Sequence, residues 1–172
     1  MNTTVLDPRK ALNKAFLKIK PNRDAIELFK TNLIQLLDRC NEKETEEFHK
    51  NLVSDFLKKT YYDNTHFINT KGRNDLVIHN GKDAKTHVGV IIEAKSPTNK
   101  SEMIALDNLN GKAFQELVLY YLRERINHKN TELKQVVVTN IYEWFVFDAQ
   151  LFNKIFAENK KFVQQFTDFE EG

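Results

Sequence analysis

The chain has 172 residues and a formal net charge of +2, with 29% charged and 41% apolar residues. This length predicts one domain, with or without a helical appendage, and large enough to fold without a disulfide or a structural zinc. The only cysteine, Cys40, excludes an internal disulfide and a cysteine-rich zinc site, and it favours the reducing cytoplasm. We expect no membrane span, because no apolar run approaches about 18 residues. We expect no signal peptide, because the sequence does not begin with a basic segment followed by an apolar one.

Apolar spacings of three and four residues predict two helices before any strand. The first begins near residues 22–24. A break at residues 41–44 follows, and Asn41 is the predicted cap of the second helix. The first turn of that helix is rich in glutamate, as the helix dipole favours.

Three strands are predicted next. The first combines Tyr61 and Tyr62 with residues 66–68, and the second covers residues 76–78. The Asn80-Gly81 dipeptide then predicts a hairpin turn. The third strand covers residues 87–95, and its nearly continuous apolar centre is typical of a strand buried on both faces.

The remainder predicts a helix over residues 112–126, strands at 136–138 and 144–147, and a helical segment over 149–167. A hairpin, a further strand, a crossover helix and another strand together predict an α/β fold with a mixed central sheet flanked by helices.

The end of the third strand holds the most informative residues. Glu93 and Lys95 share one face because side chains alternate along a strand. An acid two residues before a lysine occurs four times in the sequence, and chance alone predicts roughly three such matches, so context must decide. Only Glu93 and Lys95 close an apolar strand; the other three pairs lie in polar segments.

Asp75 opens the second strand. If the second and third strands pair as a hairpin, Asp75 lies beside Glu93 at one end of the sheet. Two converging carboxylates favour a divalent cation, and Mg²⁺ prefers oxygen ligands. A neighbouring lysine would orient water or stabilise phosphate charge, as metal-assisted phosphodiester hydrolysis requires.

These residues, in this element order, resemble the PD-(D/E)XK nuclease superfamily, and within it the N-terminal nuclease domain of type IIG restriction–modification enzymes. The resemblance rests on Asn74-Asp75 and Glu93-Ala94-Lys95, together with segments 45–57, 115–122 and 139–145. Asn74 departs from the proline of the family pattern, at a position that does no metal chemistry.

The resemblance implies a restriction-endonuclease-like core in αβββαβ order, with an extra N-terminal and an extra C-terminal helix. It implies one nuclease-like domain over residues 1–172: an N-terminal helical extension (1–41), a catalytic core (42–148) and a C-terminal helical segment (149–172). That last segment would lead to methyltransferase and target-recognition domains of the same polypeptide.

The resemblance also implies residue roles. Asp75, Glu93 and the Ala94 carbonyl would bind Mg²⁺, for which Mn²⁺ is expected to substitute, and Lys95 would be the catalytic lysine. Glu47 or its neighbour Glu46 would complete the site. Gln115 would match a glutamine of the helix after the lysine strand, and the helical wheel places it within the apolar face beside Leu122.

We therefore expect a Mg²⁺-dependent endonuclease that acts on double-stranded DNA in the cytoplasm, without membrane contact, and that pairs two copies for cleavage. Two alternatives stay open. One is a junction-resolvase or repair-type nuclease that acts as a homodimer. The other is a non-catalytic interaction module on a nuclease fold, in which Glu93 and Lys95 form a structural ion pair.

Overall fold

The computed structural model describes residues 4–71 and 74–172 of the chain. The side chains of Lys71, Asn74 and Asp75 also lie outside the description. No helix in the described ranges is both long and apolar enough to cross a lipid bilayer.

Six α-helices lie in the described part of the chain, whereas the apolar spacings predict four helical segments. The six helices are α1 (Pro8–Ala11), α2 (Arg23–Arg39), α3 (Glu46–Leu57), α4 (Lys112–Leu122), α5 (Ala149–Phe152) and α6 (Lys160–Glu171). The short α1 is not among the predicted helices, and the predicted segment 149–167 is divided between α5 and α6. A 3-10 turn follows α1 at Phe16–Lys18, and π-helical turns continue α3 at Lys58–Tyr62, α4 at Arg123–Asn127 and α5 at Asn153–Ala157.

The helix caps explain where α2 and α3 begin. α2 starts at Arg23, within the predicted range of residues 22–24, and its cap is Asn22. The prediction that Asn41 caps the next helix is wrong. α3 begins five residues later at Glu46, because the Thr45 hydroxyl oxygen accepts a hydrogen bond from Phe48 N at 3.2 Å.

In residues 4–71 and 74–172, five strands form one mixed sheet in the order of the sequence. β3 and β4 are parallel, and every other neighbouring pair is antiparallel. α4 provides the crossover that a parallel pair requires. The predicted strand at Tyr61 and Tyr62 is wrong, since both belong to the π-helical turn after α3. The strands are β1 (Ile68–Lys71), β2 (Asn74–His79), β3 (Val88–Ala94), β4 (Gln135–Thr139) and β5 (Trp144–Asp148).

The predicted pairing of the second and third strands as a hairpin is confirmed. Leu76 stands opposite Ile92, and Val77 stands opposite Ile91. Asp75 precedes Leu76 on β2 and Glu93 follows Ile92 on β3, so the two residues come directly after the Leu76–Ile92 pair at one end of the sheet.

Helices cover both faces of the sheet. On one face, Ile92 packs in a core with residues of α2 and α3, including Leu36 and Val53. On the other face, Ile91 packs in a second core with residues of α4, α5 and α6, including Phe166. β3 is consequently buried along almost its whole length, as its apolar run predicts. The α/β class and the mixed sheet between helices are confirmed.

Candidate functional site

Lys95 follows directly after β3, and its side chain is only 4% exposed. Its backbone N–H donates to the carbonyl oxygen of Thr139 at 2.8 Å, which extends the parallel ladder between β3 and β4 by one bond. The sheet therefore fixes the point from which this side chain leaves the backbone. A buried ammonium is costly unless anions compensate its charge.

Four carboxylates surround that ammonium, each from a different part of the fold. Glu46 comes from α3, Glu93 from β3, Glu102 from the loop after β3, and Glu116 from α4. We call these four residues and Lys95 the Lys95 cluster. The Lys95 Nζ atom lies 2.7 Å from Glu93 Oε1, 2.8 Å from Glu116 Oε2, 3.3 Å from Glu46 Oε1 and 3.7 Å from Glu102 Oε2.

Glu46 owes its position to the start of α3. It is the first residue of the helix, immediately after the capping Thr45. The amino end of a helix carries partial positive charge and favours a carboxylate there. The Glu46 side chain is 39% exposed, whereas Glu93 is 1% exposed. The cluster therefore extends from the buried end of β3 to the surface.

Glu102 is held by the start of α4. The Lys112 ammonium donates to Glu102 Oε1 at 2.8 Å, and Ala113 N donates to the Glu102 carbonyl at 2.9 Å. Gly111 permits this approach, because a Cβ atom there would lie 3.0 Å from the Glu102 carbonyl oxygen and closer still to the neighbouring carbonyl of Met103. The loop between β3 and α4 is thus closed onto the helix.

The cluster is electrostatically negative. Four carboxylates face two ammonium groups, those of Lys95 and Lys112. Burial lowers the pKa of Lys95, but hydrogen bonds to Glu116 and Glu93 outweigh burial, so the pKa lies above its ordinary value. The hydrogen bond from Lys112 lowers the pKa of Glu102. Lys95 is therefore a persistent cation, and it anchors the surrounding carboxylates.

Glu93 and Lys95 lie together in the cluster, while Asp75 is placed only by its backbone. Asp75 belongs to β2 and directly precedes Leu76, which pairs with Ile92, the residue before Glu93. The Asp75 side chain lies outside the described part of the chain. The predicted meeting of the two carboxylates therefore stays a prediction.

The two remaining predicted side chains lie elsewhere. Glu47 pairs with Lys50 one turn along α3, and its side chain is 62% exposed, whereas the neighbouring Glu46 contacts Lys95. The predicted place of Gln115 within the apolar face of α4 is wrong. Gln115 is exposed and donates to Asn110 Oδ1 at 3.1 Å.

Glu102 and Glu116 join the site without a sequence signal that distinguishes them from solvated surface acids. Glu116 stands four residues after Lys112 on α4, a spacing that indicates an ordinary surface ion pair. Its contact with Lys95 depends on how α4 packs across β3 and β4. The contact of Glu102 with Lys95 depends on the path of an irregular loop, which no periodicity in the sequence predicts.

The donor atoms suit a hard divalent cation, although their number among the described side chains is small. Carboxylate oxygens and a backbone carbonyl are the ligands that Mg²⁺ prefers. In the described ranges, no group of three or more histidine, cysteine, aspartate or glutamate side chains is arranged to hold a metal ion. The Lys95 ammonium lies between the carboxylates there. Asp75 would have to supply the missing ligand beside Glu93 and the carbonyl of Ala94, the last residue of β3.

A family model described as a domain of unknown function (DUF7149) matches residues 6–172. The chain belongs to this family. No curated protein and no solved structure matches it. The DUF7149 domain of this chain therefore comprises all the elements that build the Lys95 cluster, from α3 to α4, and the family itself assigns them no role.

Proposed function

We propose that this chain is a metal-dependent DNA endonuclease domain with a restriction-endonuclease-like core. The observation that carries the proposal is the buried Lys95 ammonium at the end of β3, 2.7 Å from the buried Glu93 carboxylate. Structural ion pairs are usually placed at the surface, where their desolvation costs little. This pair lies at a sheet end where α3, the loop after β3 and α4 converge, and Glu46 extends the cluster to solvent.

The reaction is hydrolysis of a phosphodiester. A water oxygen bonds to phosphorus, one phosphorus–oxygen ester bond breaks, the departing oxygen takes up a proton, and the products are a phosphomonoester and a hydroxyl. Lys95 supports this step as a fixed positive charge, because its pKa is raised and it stays protonated at neutral pH. Its task is to stabilise the charge that develops on the phosphate oxygens.

Glu93, the Ala94 carbonyl and Asp75 would hold Mg²⁺, with Mn²⁺ as a substitute. When bound, such an ion polarises the phosphate and lowers the pKa of a bound water. Glu46, Glu102 and Glu116 hold Lys95 in place through their contacts with its ammonium. This assignment of metal ligands and of a catalytic lysine matches the resemblance to the PD-(D/E)XK superfamily at Asp75, Glu93 and Lys95.

The resemblance extends the proposal beyond this chain. Double-stranded DNA is the substrate, and methyltransferase and target-recognition domains belong to the same polypeptide. The cytoplasm is the compartment, and two copies pair for cleavage. These points rest on the resemblance and not on the geometry of the Lys95 cluster.

Calorimetric titration with Mn²⁺ tests the proposed ligands directly. We expect the native domain to bind Mn²⁺, and Asp75→Ala and Glu93→Ala to abolish binding while circular dichroism shows a retained fold. Glu158→Ala is the matched control, because Glu158 and Lys160 form the same acid-x-lysine pattern in an exposed segment. Binding that survives both site substitutions contradicts the proposed metal site.

A plasmid-nicking assay with Mg²⁺ or Mn²⁺ tests the chemistry. We expect nicking by the native domain, a loss of about 100-fold or more in Lys95→Ala, and unchanged nicking in Lys160→Ala. If Mn²⁺ binding and nicking are both absent in the native domain, the Lys95 cluster is a structural ion-pair network and the interaction-module alternative is favoured.

A further inference from the structure

The first described segment of the chain is exposed throughout and strongly basic. Every residue from 4 to 31 is exposed. The whole chain has 26 cationic and 24 acidic side chains, yet residues 4–23 hold six of the cations and only one of the acids. We call residues 4–23 the basic arm. Its cations are Arg9, Lys10, Lys14, Lys18, Lys20 and Arg23.

The cations of the basic arm differ from Lys95 and Lys112 in having no carboxylate partner. Lys95 pairs with Glu93, and Lys112 pairs with Glu102. Within the described ranges, none of the six cations of the basic arm forms an ion pair. Six uncompensated positive charges in so short a segment repel one another, and binding a polyanion would relieve that repulsion.

The basic arm exposes apolar side chains such as Leu12, Phe16 and Ile19, but its helical turns are too short to gather them into the face of a membrane-surface helix. A helix that lies in a membrane interface needs a continuous apolar face along its length. The basic arm has only the four-residue α1 and the three-residue 3-10 turn at Phe16–Lys18 before α2 begins. Short turns joined by extended backbone can instead follow a line of phosphates.

The charge of the Lys95 cluster creates a need for such an arm. Its four carboxylates outnumber the Lys95 and Lys112 ammonium groups, so the site repels a phosphate backbone before a cation binds. A nuclease of this design must gain its affinity for DNA from another surface. The basic arm is the densest uncompensated positive charge in the described part of the chain.

We propose that the basic arm is a DNA-binding element that contacts the phosphate backbone of a duplex without reading its sequence. The choice of DNA as the polyanion rests on the proposed function. Segments dense in lysine and arginine commonly bind nucleic acid in this way. Each phosphate that a lysine or arginine neutralises releases condensed counterions, so the affinity depends steeply on salt.

Fluorescence anisotropy of a labelled 30-base-pair duplex, titrated with the full 172-residue chain in EDTA at several NaCl concentrations, tests the proposal. The arm variant changes all six cations to glutamine. The matched control changes six other exposed lysines to glutamine, which gives the same net charge. These control positions are Lys82, Lys85, Lys129, Lys134, Lys154 and Lys161.

We expect the arm variant to bind at least tenfold more weakly near 0.1 M salt. The slope of log K against log salt should fall by about 5 if all six cations contact phosphate, since each contributes about 0.9. A variant with only Arg9, Lys10 and Lys14 changed should lose about half of that slope. The six-residue arm variant and the three-residue variant should keep the melting temperature of the native chain, because none of the six side chains is buried.

Two outcomes overturn the proposal. One is an equal loss of affinity in the arm variant and the control, which would show an effect of net charge alone. The other is unchanged DNA binding in the arm variant. If that variant has at the same time lost binding to phosphatidylglycerol vesicles, the basic arm is assigned to a membrane surface. The binding assay in EDTA tests the basic arm without cleavage, and the nicking assay in Mg²⁺ tests the proposed nuclease activity. Either proposal can therefore be contradicted while the other stands.

Discussion

The Lys95 ammonium lies 2.7 Å from Glu93 Oε1, and the two side chains are only 4% and 1% exposed. The residues are two positions apart at the end of β3, so strand alternation puts them on the same face. Removing a single partner of a buried ion pair leaves an uncompensated charge, which is far more costly than removing both. The pair therefore makes a prediction about stability that is independent of any catalytic role.

We predict that Lys95→Met lowers the free energy of unfolding by about 3–5 kcal/mol. Glu93→Gln in the Lys95→Met background should restore part of that loss, because the carboxylate that lost its ammonium is gone. Urea unfolding followed by circular dichroism gives the four free energies of the double-mutant cycle. Additive effects of the two substitutions would contradict a direct interaction.

The raised pKa of Lys95 predicts the pH dependence of this stabilisation. Burial opposes the charge, but the hydrogen bonds to Glu116 and Glu93 prevail and raise the pKa in the folded state. A raised pKa means that the stabilisation is fully present below the unfolded-state value of about 10.4 and is lost as the pH rises above it. The stability difference between wild type and Lys95→Met should therefore be constant from pH 7 to 9. Above about pH 10.4 it should shrink by about 1.4 kcal/mol per pH unit.

Urea titrations of both proteins between pH 7 and 11 measure that difference. The ionisation of tyrosines and of other lysines is common to both proteins and cancels in the comparison. A difference that already declines between pH 7 and 9 would show that Lys95 is not held as an ammonium by its neighbours.

Glu46 and Glu47 provide a matched test on adjacent residues of α3. Glu46 contacts the Lys95 ammonium at 3.3 Å, whereas Glu47 pairs with Lys50. We predict that Glu46→Gln slows plasmid nicking by about 10–100-fold, the usual effect of removing a group that orients a site residue. Glu47→Gln should leave the nicking rate unchanged. A larger effect at Glu47 would mean that α3 presents its other carboxylate to DNA.

A second matched pair lies on α4. The Lys95 ammonium donates to Glu116 Oε2 at 2.8 Å, while the exposed Gln115 bonds to Asn110. Hydrogen bonds to charged groups contribute about 1.5–3 kcal/mol. We predict a loss of that size in the free energy of unfolding for Glu116→Ala and a change within about 0.5 kcal/mol for Gln115→Ala. Equal losses in urea unfolding would contradict the role of Glu116 as an anchor of Lys95.

The sequence predicts the sheet and the centre of the site because both rest on local periodicity. The apolar run of β3, ended by a polar pair, identifies Glu93 and Lys95. The hairpin of β2 and β3 is also predicted, but its turn is not at Asn80-Gly81. Asn80 N still donates to the His87 carbonyl, and the chain reverses where Thr86 N donates to the Asp83 carbonyl. The contributions of Glu102 and Glu116 depend on a loop path and on the packing of α4, which no local pattern encodes.

The predictions that the structure contradicts have equally local causes. One residue along a helix is a rotation of about 100°, which is enough to separate the exposed Gln115 from Glu116 in the cluster. Asn41 and Thr45 are both good cap residues, and the downstream Phe48 N–H decides between them. Tyr61 and Tyr62 have strand propensity, but they continue α3 as a π-helical turn.

α6 provides a last pair of residues that tests the core on the α4 side of the sheet. Phe166 is 5% exposed and belongs to the core that contains Ile91 of β3, whereas Phe169 on the same helix is 63% exposed. Removing a buried phenylalanine side chain costs about 3–5 kcal/mol, because the cavity that it leaves closes only in part. We predict a loss of that size in urea unfolding for Phe166→Ala and a change within about 0.5 kcal/mol for Phe169→Ala. A small effect at Phe166 would show that α6 does not stabilise the sheet that carries Glu93 and Lys95.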